Sequence, residues 1–541
     1  MCGIWALLSI LKLEKLDTYF RSFMKIKHRG PDNSLFQLVG DNLLLGFHRL
    51  SIMDLTANGN QPFHLVRDDG SCIYCICNGE IYNYKYLIEK YDLKTNSNSD
   101  CSVILPLYEK VGIKKLVELL DGEFAFVIVK LDKNGKTKMV VGRDPIGVRP
   151  IFFGKDDDKT IAICSEAKGL CDIYDNVQVF KPGHYMIYQD NHMEFIEYYS
   201  YIYQMIRPVP HIEQIFEEIR RRFTNAVKKR LQSDADIGFL LSGGLDSSLT
   251  TAVAKKLMGN KKFKVFTIGF REGSTDLPYA KKVAEYLDLE HHIITVDYDD
   301  ALKEIDETIY AIESYDITSV RASVMQKLAS KWIRNNTNIK VLLCGDNSDE
   351  CCQSYKYFHN APNAQELHQD GVRLVKEVHM YDGLRSDRTC AYHGIEIRLP
   401  FADPEFVDYY LSIDPELRKP KNGMEKELLR YAFLDDTKLL PIDILMRSKE
   451  AMSDGVSTSA KSWFVVIQDY IDKLITDEEF LSNKDKYFHC KPFTKESYYY
   501  RKKFCEFFGD IHSNLIPHFW MPKWTPETND PSARTLKVYK K

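Results

Sequence analysis

The chain has 541 residues, too many for one hydrophobic core, and at roughly 150 residues per domain it divides into two to four, with two large domains as the first expectation. Its composition, 44% hydrophobic and 28% charged, carries no disordered bias, and a net charge of -4 offers no field for a polyanion, which argues against a nucleic-acid partner. Thirteen cysteines scattered over so long a chain are not the dense pattern of a disulfide-stapled secreted domain and point to a reducing compartment.

The opening stretch MCGIWALLSIL has no basic residues ahead of it and no small-x-small cleavage site behind it, so it is read as a buried strand and not as a signal peptide. No apolar run approaches the roughly 20 residues that span a bilayer, so a cytoplasmic protein without a membrane partner is expected. Short β-rich runs punctuated by Gly, Pro and Asp follow at 43–47, 72–77, 124–131, 139–142, 161–164 and 184–188, as strands of packed sheets would. Between them, residues 101–111 predict a helix with Asp100 as its N-cap. The proline-rich MIRPVP at 205–210 sets the domain boundary, giving domains 1–205 and 206–541. After a helix at 212–231, the strands IGFLLS, FKVFTIGF, HHIITV and IKVLLCG alternate with helices at 247–258 and 278–286, which predicts a parallel sheet covered by helices. Beyond residue 360 the chain is mostly helical.

Cys2 directly follows Met1. Removing Met1 would expose an α-amine of pKa about 7.7 to 8.0 that could act as base for the thiol; a small buried residue opening a strand is the bland alternative. A thiolate attacking a primary amide needs donors for the oxyanion, and an amino-acid substrate needs a cation for its carboxylate and anions for its ammonium. HRLSIMD supplies Arg49, NGEIYN supplies Asn78, Gly79 and Glu80, and NSDCSVI supplies Asp100. Singly these read as a turn, a surface residue and a helix cap. Together with HRGPDNS at 28–34, RDPIGVRP at 143–150, SEAKGL at 165–170 and FKPGH at 180–184, they resemble the class II, N-terminal-nucleophile glutamine amidotransferases over residues 2–200. The resemblance implies a four-layer α-β-β-α sandwich. In it Cys2 would be the nucleophile and Asn78 with the Gly79 N–H the oxyanion hole; Arg49, Leu50, Ser51, Ile52, Met53, Glu80 and Asp100 would line the glutamine site.

LLSGGLDSS at 240–248 lies between a strand and a helix. Gly243 and Gly244 let the backbone approach a phosphate, Ser242, Ser247 and Ser248 add hydroxyls, and Asp246 is a carboxylate placed to hold Mg²⁺. The string resembles the pyrophosphate loop of ATP-dependent amidotransferases. Preceded by a glutaminase, and followed by ESYDITSVRAS at 313–323, YFHNAPNAQELH at 357–368, GIEIRLPFAD at 394–403 and RSKEAMSDG at 447–455, it is similar to the glutamine-hydrolysing asparagine synthetases through about residue 460. By that likeness the second domain is a parallel-sheet α/β unit with a helical C-terminal part, and it forms β-aspartyl-AMP, which ammonia conducted through the protein interior converts to asparagine. ATP would be a substrate and Mg²⁺ the cofactor. Leu240, Ile268, Cys344 and Gly345 would bind adenine and ribose, Asp349 would join Asp246 at the metal, and Lys449 would offset phosphate charge. Thr318 and Arg321 would contact aspartate or pyrophosphate, with a structural ion pair as the equal alternative for Arg321. The partners expected are glutamine, aspartate and ATP, with a homodimer allowed and no nucleic acid or membrane.

The likeness falters at 344–355, CGDNSDECCQSY, where the family pattern is S-G-E-G-S/A-D-E, two hydrophobic residues and G-G-Y. Asp346 stands for a glutamate thought to act in catalysis, withdrawing the carboxylate by about 1 Å, a misplacement that can cost on the order of 100-fold in rate. Asn347 tolerates positive φ, but Gln353 and Ser354 replace two glycines and are expected to crowd the backbone. Cys351 and Cys352 are adjacent and lack a second ligand pair, so packing is preferred to metal binding; so too for CIYCIC at 72–77, whose Cys75 and Cys77 share a strand face with Ile73. This loop leaves two alternatives open: a glutaminase with a weakened or differently specific synthetase domain, or a non-catalytic binding or regulatory relative.

Overall fold

The computed structural model describes residues 1–156, 160–201, 203–421, 423–434 and 438–540. The chain divides into two compact units, one of Met1–Ser200 with Ser233–Asp236 and Ala391–Glu396, the other of Tyr201–Gln232, Ile237–Cys390 and Ile397–Lys541.

In the first unit the strands are β1 (Gly3–Ser9), β2 (Asn33–Val39), β3 (Leu43–Arg49), β4 (Phe63–Val66), β5 (Cys72–Ile81), β6 (Gly122–Leu131), β7 (Thr137–Arg143), β8 (Phe152–Lys155), β9 (Thr160–Cys164), β10 (Val177–Val179), β11 (His184–Gln189) and β12 (His192–Glu197). They form two six-stranded sheets, in the orders β10-β8-β9-β1-β3-β2 and β12-β11-β7-β6-β5-β4. Side chains alternate across each strand, so each sheet offers one face to the other sheet and one to helices. Ile4, Ala6, Leu8, Leu45 and Phe47 meet Ile76, Val127, Val141 and Met186 in one shared core. On the outer face of the first sheet, Trp5 packs with Tyr19 of α1 (Leu16–Met24). On the outer face of the second, Ile73, Cys75, Cys77, Phe124 and Phe126 pack with α2 (Tyr84–Tyr91) and α3 (Ile104–Leu119) through Leu87, Ile104, Leu107 and Leu116. This is the expected α-β-β-α layering, and it explains why all seven residues of β1 are buried.

One local expectation is corrected. The helix predicted at 101–111 begins as a single tight turn, Asp100–Val103, and continues to Leu119 with a break at Gly112, whose φ is +74°. Asp100 is not its N-cap, because the carboxylate is turned toward β5, where it accepts the Ile81 N–H at 2.5 Å.

The second unit carries a five-stranded sheet of β13 (Ile237–Leu240), β14 (Lys264–Phe270), β15 (Glu290–Val296), β16 (Val341–Leu343) and β17 (Glu396–Arg398), in the order β15-β14-β13-β16-β17. β13 pairs in parallel with both β14 and β16. The helices α4 (Ile212–Arg230), α5 (Leu245–Met258) and α6 (Leu277–Tyr286) lie where the alternating pattern predicts them. The order reverses at β13, with β14 on one side and β16 on the other. Such a switch point opens a crevice beyond the carboxyl ends of the strands, and ligands bind there in open α/β sheets. The loops leaving β13 and β16 are the glycine-rich and acidic loops singled out above.

Gly46 on β3 lets α1 approach the first sheet, since a Cβ there would lie 2.6 Å from Cδ2 of the Phe23 ring. Gly46→Val should cost about 1–3 kcal/mol by overpacking, despite valine's preference for strands. A lowered thermal midpoint checks this, and an unchanged one counts against it.

Candidate active sites

In the first unit the end of β3 is bound up with the loop that follows it. Arg49 donates from Nη1 to Thr56 O at 2.6 Å and to Asn60 Oδ1 at 2.8 Å, and from Nη2 to the carbonyls of Met53 and Asp54. The contact is close enough that a Cβ on Gly59 would overlap Nη2. Asp54 accepts from Ser97 Oγ at 2.7 Å and from the Asn98 N–H at 2.9 Å, which holds the segment leading into Asp100. Gln61 exchanges hydrogen bonds with the Cys77 backbone on β5. Arg49, β5 and Asp100 are thereby tied to one loop, although they are far apart in the chain.

Cys2 is half-buried and its thiol faces Leu50 O at 3.7 Å. Burial pushes the thiol pKa up to about 11, against the lowering pull of the nearby N-terminal ammonium. The group is therefore a neutral thiol near pH 7 and needs a base. Asn78 on β5 is fully buried, and neither atom of its carboxamide has a hydrogen-bond partner. An unsatisfied buried amide costs about 1–3 kcal/mol, which a ligand accepting from Nδ2 would recover. Gly79 is held against β6, where a Cβ would lie 2.3 Å from Glu123 O. Glu80 is buried beside it. Ser51 N–H donates to Asp32 at 2.8 Å and the carbonyl of Ile52 accepts from Asp234 N–H, so 50–53 is a fixed segment.

In the second unit a cavity lies at the switch point. It is lined by Leu240, Ser242, Gly244, Asp246, Ser247, Ile268, Thr318, Cys344, Gly345, Asp346, Asp349 and Lys449, all expected from the sequence. Gly243 and Ser248 are not among its lining residues: Gly243, at φ +76°, packs against the start of α6, and Ser248 is buried within α5. Ser242 Oγ and Ser247 Oγ lie 2.9 Å apart and brace the turn at the N-terminus of α5. Gly345 is pressed on this turn, since a Cβ would lie 2.6 Å from Ser247 N.

Two carboxylates and two ammonium groups converge on the wall. Lys426 Nζ bridges Asp246 Oδ2 at 2.6 Å and Asp349 Oδ1 at 2.7 Å, while Lys449 Nζ meets Asp349 Oδ2 at 2.6 Å. Burial would raise the Asp349 pKa, but the two lysines outweigh it and hold the carboxyl well below its usual range. Lys449 is likewise held up as an ammonium, because Asp349 and Asp246 overcome its burial. Lys426 was not read from the sequence, and it holds a left-handed backbone at φ +58°. Asp382, Arg385 and Ser386 were missed too. Arg385 reaches Asp346 at 3.3 Å and Asp382 at 3.1 Å, and Ser386 Oγ donates to Asp346 at 2.5 Å.

Arg321, expected at the substrate, does not line this cavity. Its buried guanidinium is taken by Glu496 at 2.6 Å and Asp530 at 2.8 Å, two residues of the C-terminal segment for which the sequence suggested only packing. Helix Lys495–Phe508 supplies Glu496 and buries Tyr500 and Phe504.

The acidic loop absorbs its departures. Asn347 takes φ +69°, as its residue type allows. Gln353 takes φ +55°, is fully buried, and accepts from Arg418 Nη1 at 2.6 Å. Room for it comes from Gly371 on helix Ala364–Glu377, where a Cβ would lie 2.1 Å from Gln353 Nε2. Ser354 donates to Asp349 Oδ1 at 2.5 Å. The expected crowding is thus relieved, in one case by a facing glycine and in the other by a hydrogen bond. Cys351 and Cys352 are buried, and no metal-binding group of three or more His, Cys, Asp or Glu occurs among the described residues.

Glu350 is buried, accepts from the Tyr355 hydroxyl at 2.6 Å, and leaves its second oxygen without a partner. Burial first, then Asp382 and Asp349, push its pKa up to about 8 from an ordinary 4.5. The native state therefore holds this proton more tightly than the unfolded chain. That contribution to stability is full below pH 4.5 and is lost progressively as pH rises to about 8. Glu350→Gln should flatten the fall of the thermal midpoint between about pH 5 and 8.5; an unchanged slope would show that Glu350 does not set it.

The chain matches two protein families in sequence. Residues 1–173 match the glutamine amidotransferase domain, and residues 218–370 and 360–529 match asparagine synthase. Over its whole length it is 42% identical to the asparagine synthetase [glutamine-hydrolyzing] of Gallus gallus and to that of Mus musculus, and 41% identical to that of Homo sapiens, covering 99% of each. With both sites on one chain and similarity from end to end, the chain belongs to the glutamine-hydrolysing asparagine synthetase family.

Proposed function

We propose that the chain makes asparagine from aspartate, using ATP and the amide nitrogen of glutamine. The observation that carries this reading is the convergence of Asp246, Asp349, Lys426 and Lys449 with the Asp346 carboxylate on one cavity at the switch point of a parallel sheet. That wall suits a polyphosphate and a carboxylic acid.

At the first site, loss of Met1 frees the Cys2 amine. It takes the thiol proton as sulfur attacks the glutamine side-chain carbonyl. The oxyanion accepts from Asn78 Nδ2 and the Gly79 N–H. Ammonia leaves, and water releases glutamate from the thioester. Arg49 holds the α-carboxylate, with Leu50, Ser51, Ile52 and Met53 as the supporting segment, and Glu80 and Asp100 take the ammonium.

At the second site Ser242, Gly244, Ser247 and the N-terminus of α5 donate to pyrophosphate oxygens. The aspartate β-carboxylate attacks the α-phosphate, pyrophosphate departs, and Lys449 offsets the charge that develops. Asp346 is the catalytic carboxylate beside the reacting acyl group, and Thr318 lies on the aspartate side. Leu240, Ile268, Cys344 and Gly345 hold the nucleoside. Asp246 and Asp349 are hard oxygen donors of the number that Mg²⁺ uses when phosphates complete its shell, so they fit it; bound with ATP, the ion would neutralise phosphate charge. Ammonia then displaces AMP. Ammonium lacks the lone pair this needs, so the nucleophile must arrive unprotonated.

Purified protein given ATP, Mg²⁺, aspartate and glutamine should yield asparagine, AMP, pyrophosphate and glutamate. Cys2→Ala should abolish glutamine-dependent synthesis while keeping the ammonia-dependent rate within about two-fold, since only the nucleophile of the first site is lost. Glutamate without asparagine would instead favour a glutaminase with a weakened synthetase, and neither product would favour a non-catalytic relative.

A further inference from the structure

Asp346 is one methylene shorter than the glutamate of the family pattern, yet its carboxylate is tightly held. Ser386 Oγ lies 2.5 Å from Asp346 Oδ2, and Arg385 Nη2 lies 3.3 Å from the same oxygen. Ser386 stands on the helix Asp382–Ala391 and is fully buried. Its hydroxyl has a second acceptor within reach, the Asp382 carbonyl one turn back at 2.9 Å. One proton serves one acceptor at a time. The shorter approach and the charge of the carboxylate favour Asp346, because hydrogen bonds to ionised acceptors are the stronger kind.

Arg385 is itself fixed from three sides, by Asp382, Asp346 and Gln326. It therefore presents a rigid cation to one flank of the Asp346 carboxylate. Both Asp346 and Arg385 line the cavity. Ser386 does not, and acts on the site only through the carboxylate it binds.

We infer that Ser386 is a positioning residue that fixes the shortened Asp346 carboxylate for the synthetase reaction, so that serine and aspartate form a matched pair replacing the single glutamate of the family pattern. This rests on the reading of the second site as an asparagine-forming one. A glutamate at 346 would push its carboxylate about 1 Å further, into the space that the Ser386 hydroxyl now fills. Neither half of the pair is then expected to work well with the other half changed.

The test is ammonia-dependent asparagine formation by the full chain carrying Ser386→Ala, Asp346→Glu or both, with the glutaminase rate and thermal midpoint recorded for each variant. Ser386→Ala should lower kcat on the order of 10- to 100-fold with the KM for ATP within about two-fold, as loss of alignment without loss of nucleotide binding would. Asp346→Glu alone should also lower kcat, and the double variant should recover at least ten-fold over Asp346→Glu, an interaction that independent or merely structural effects would not produce. An unchanged kcat in Ser386→Ala, a faster Asp346→Glu, or a double variant equal to the product of the singles would overturn the pairing. A parent chain that forms glutamate but no asparagine would instead overturn the functional reading, and this inference with it.

Discussion

Four charges of alternating sign, the buried Lys426 and the partly buried Asp246, Asp349 and Lys449, organise the second unit. Taking an ion fully out of water costs several kcal/mol, so Lys426 is tolerable only beside the two carboxylates it bridges. The cluster joins the turn after β13, the loop after β16 and two later segments that carry Lys426 and Lys449. Its formal charge sums to zero, and it faces the cavity. A triphosphate reaching it finds ammonium groups already aligned, which is how preorganised electrostatics lowers a barrier without reorganisation at the moment of reaction.

The same constraint explains how the acidic loop can differ so much from its family pattern. Asp349 carries two ammonium groups, and Gly345 leaves no room for a side chain over the Asp246 backbone. The positions between and after them can change if something nearby gives way. Gln353 is matched by Gly371 and by the amide-seeking Arg418; Ser354 adds a donor to Asp349. Backbone strain remains at Gln353 and Lys426, both with positive φ, and such strain costs on the order of 1–3 kcal/mol per residue. It persists where the surroundings fix the conformation, as the charge cluster does.

Much of this was legible in the sequence. Strands with clear alternation or β-branched runs, such as β6 and β14, were found at nearly their full length, β5 was found over its first six of ten residues, and the glycine-rich turn was found with its strand and helix. β2, β4, β12 and α1 were not, because each is short, polar or partly exposed, and tertiary contact with aromatic residues makes up for a weak local pattern. Of the two roles read for Asp100, the helix cap was the wrong one: capping chemistry is local, whereas its carboxylate is turned to the Ile81 N–H on β5. The residues that escaped notice, Lys426, Arg385 and Ser386, act on the carboxylates of Asp246, Asp349 and Asp346, 39 or more positions away, so no spacing in the sequence could signal those contacts. Arg321 shows the converse: of the two readings open to it, substrate contact and structural ion pair, the second holds, with two acids from the C-terminal segment as its partners.

The central claim is that this altered cavity still adenylates aspartate. Aspartate labelled with ¹⁸O in its β-carboxylate, supplied with ATP, Mg²⁺ and ammonia, tests it directly by mass spectrometry of the AMP formed. If the carboxylate attacks the α-phosphate and ammonia then cleaves the acyl C–O bond, one labelled oxygen stays with phosphorus and AMP gains one ¹⁸O while asparagine keeps the other. AMP without label, or no AMP dependent on aspartate, would contradict the account.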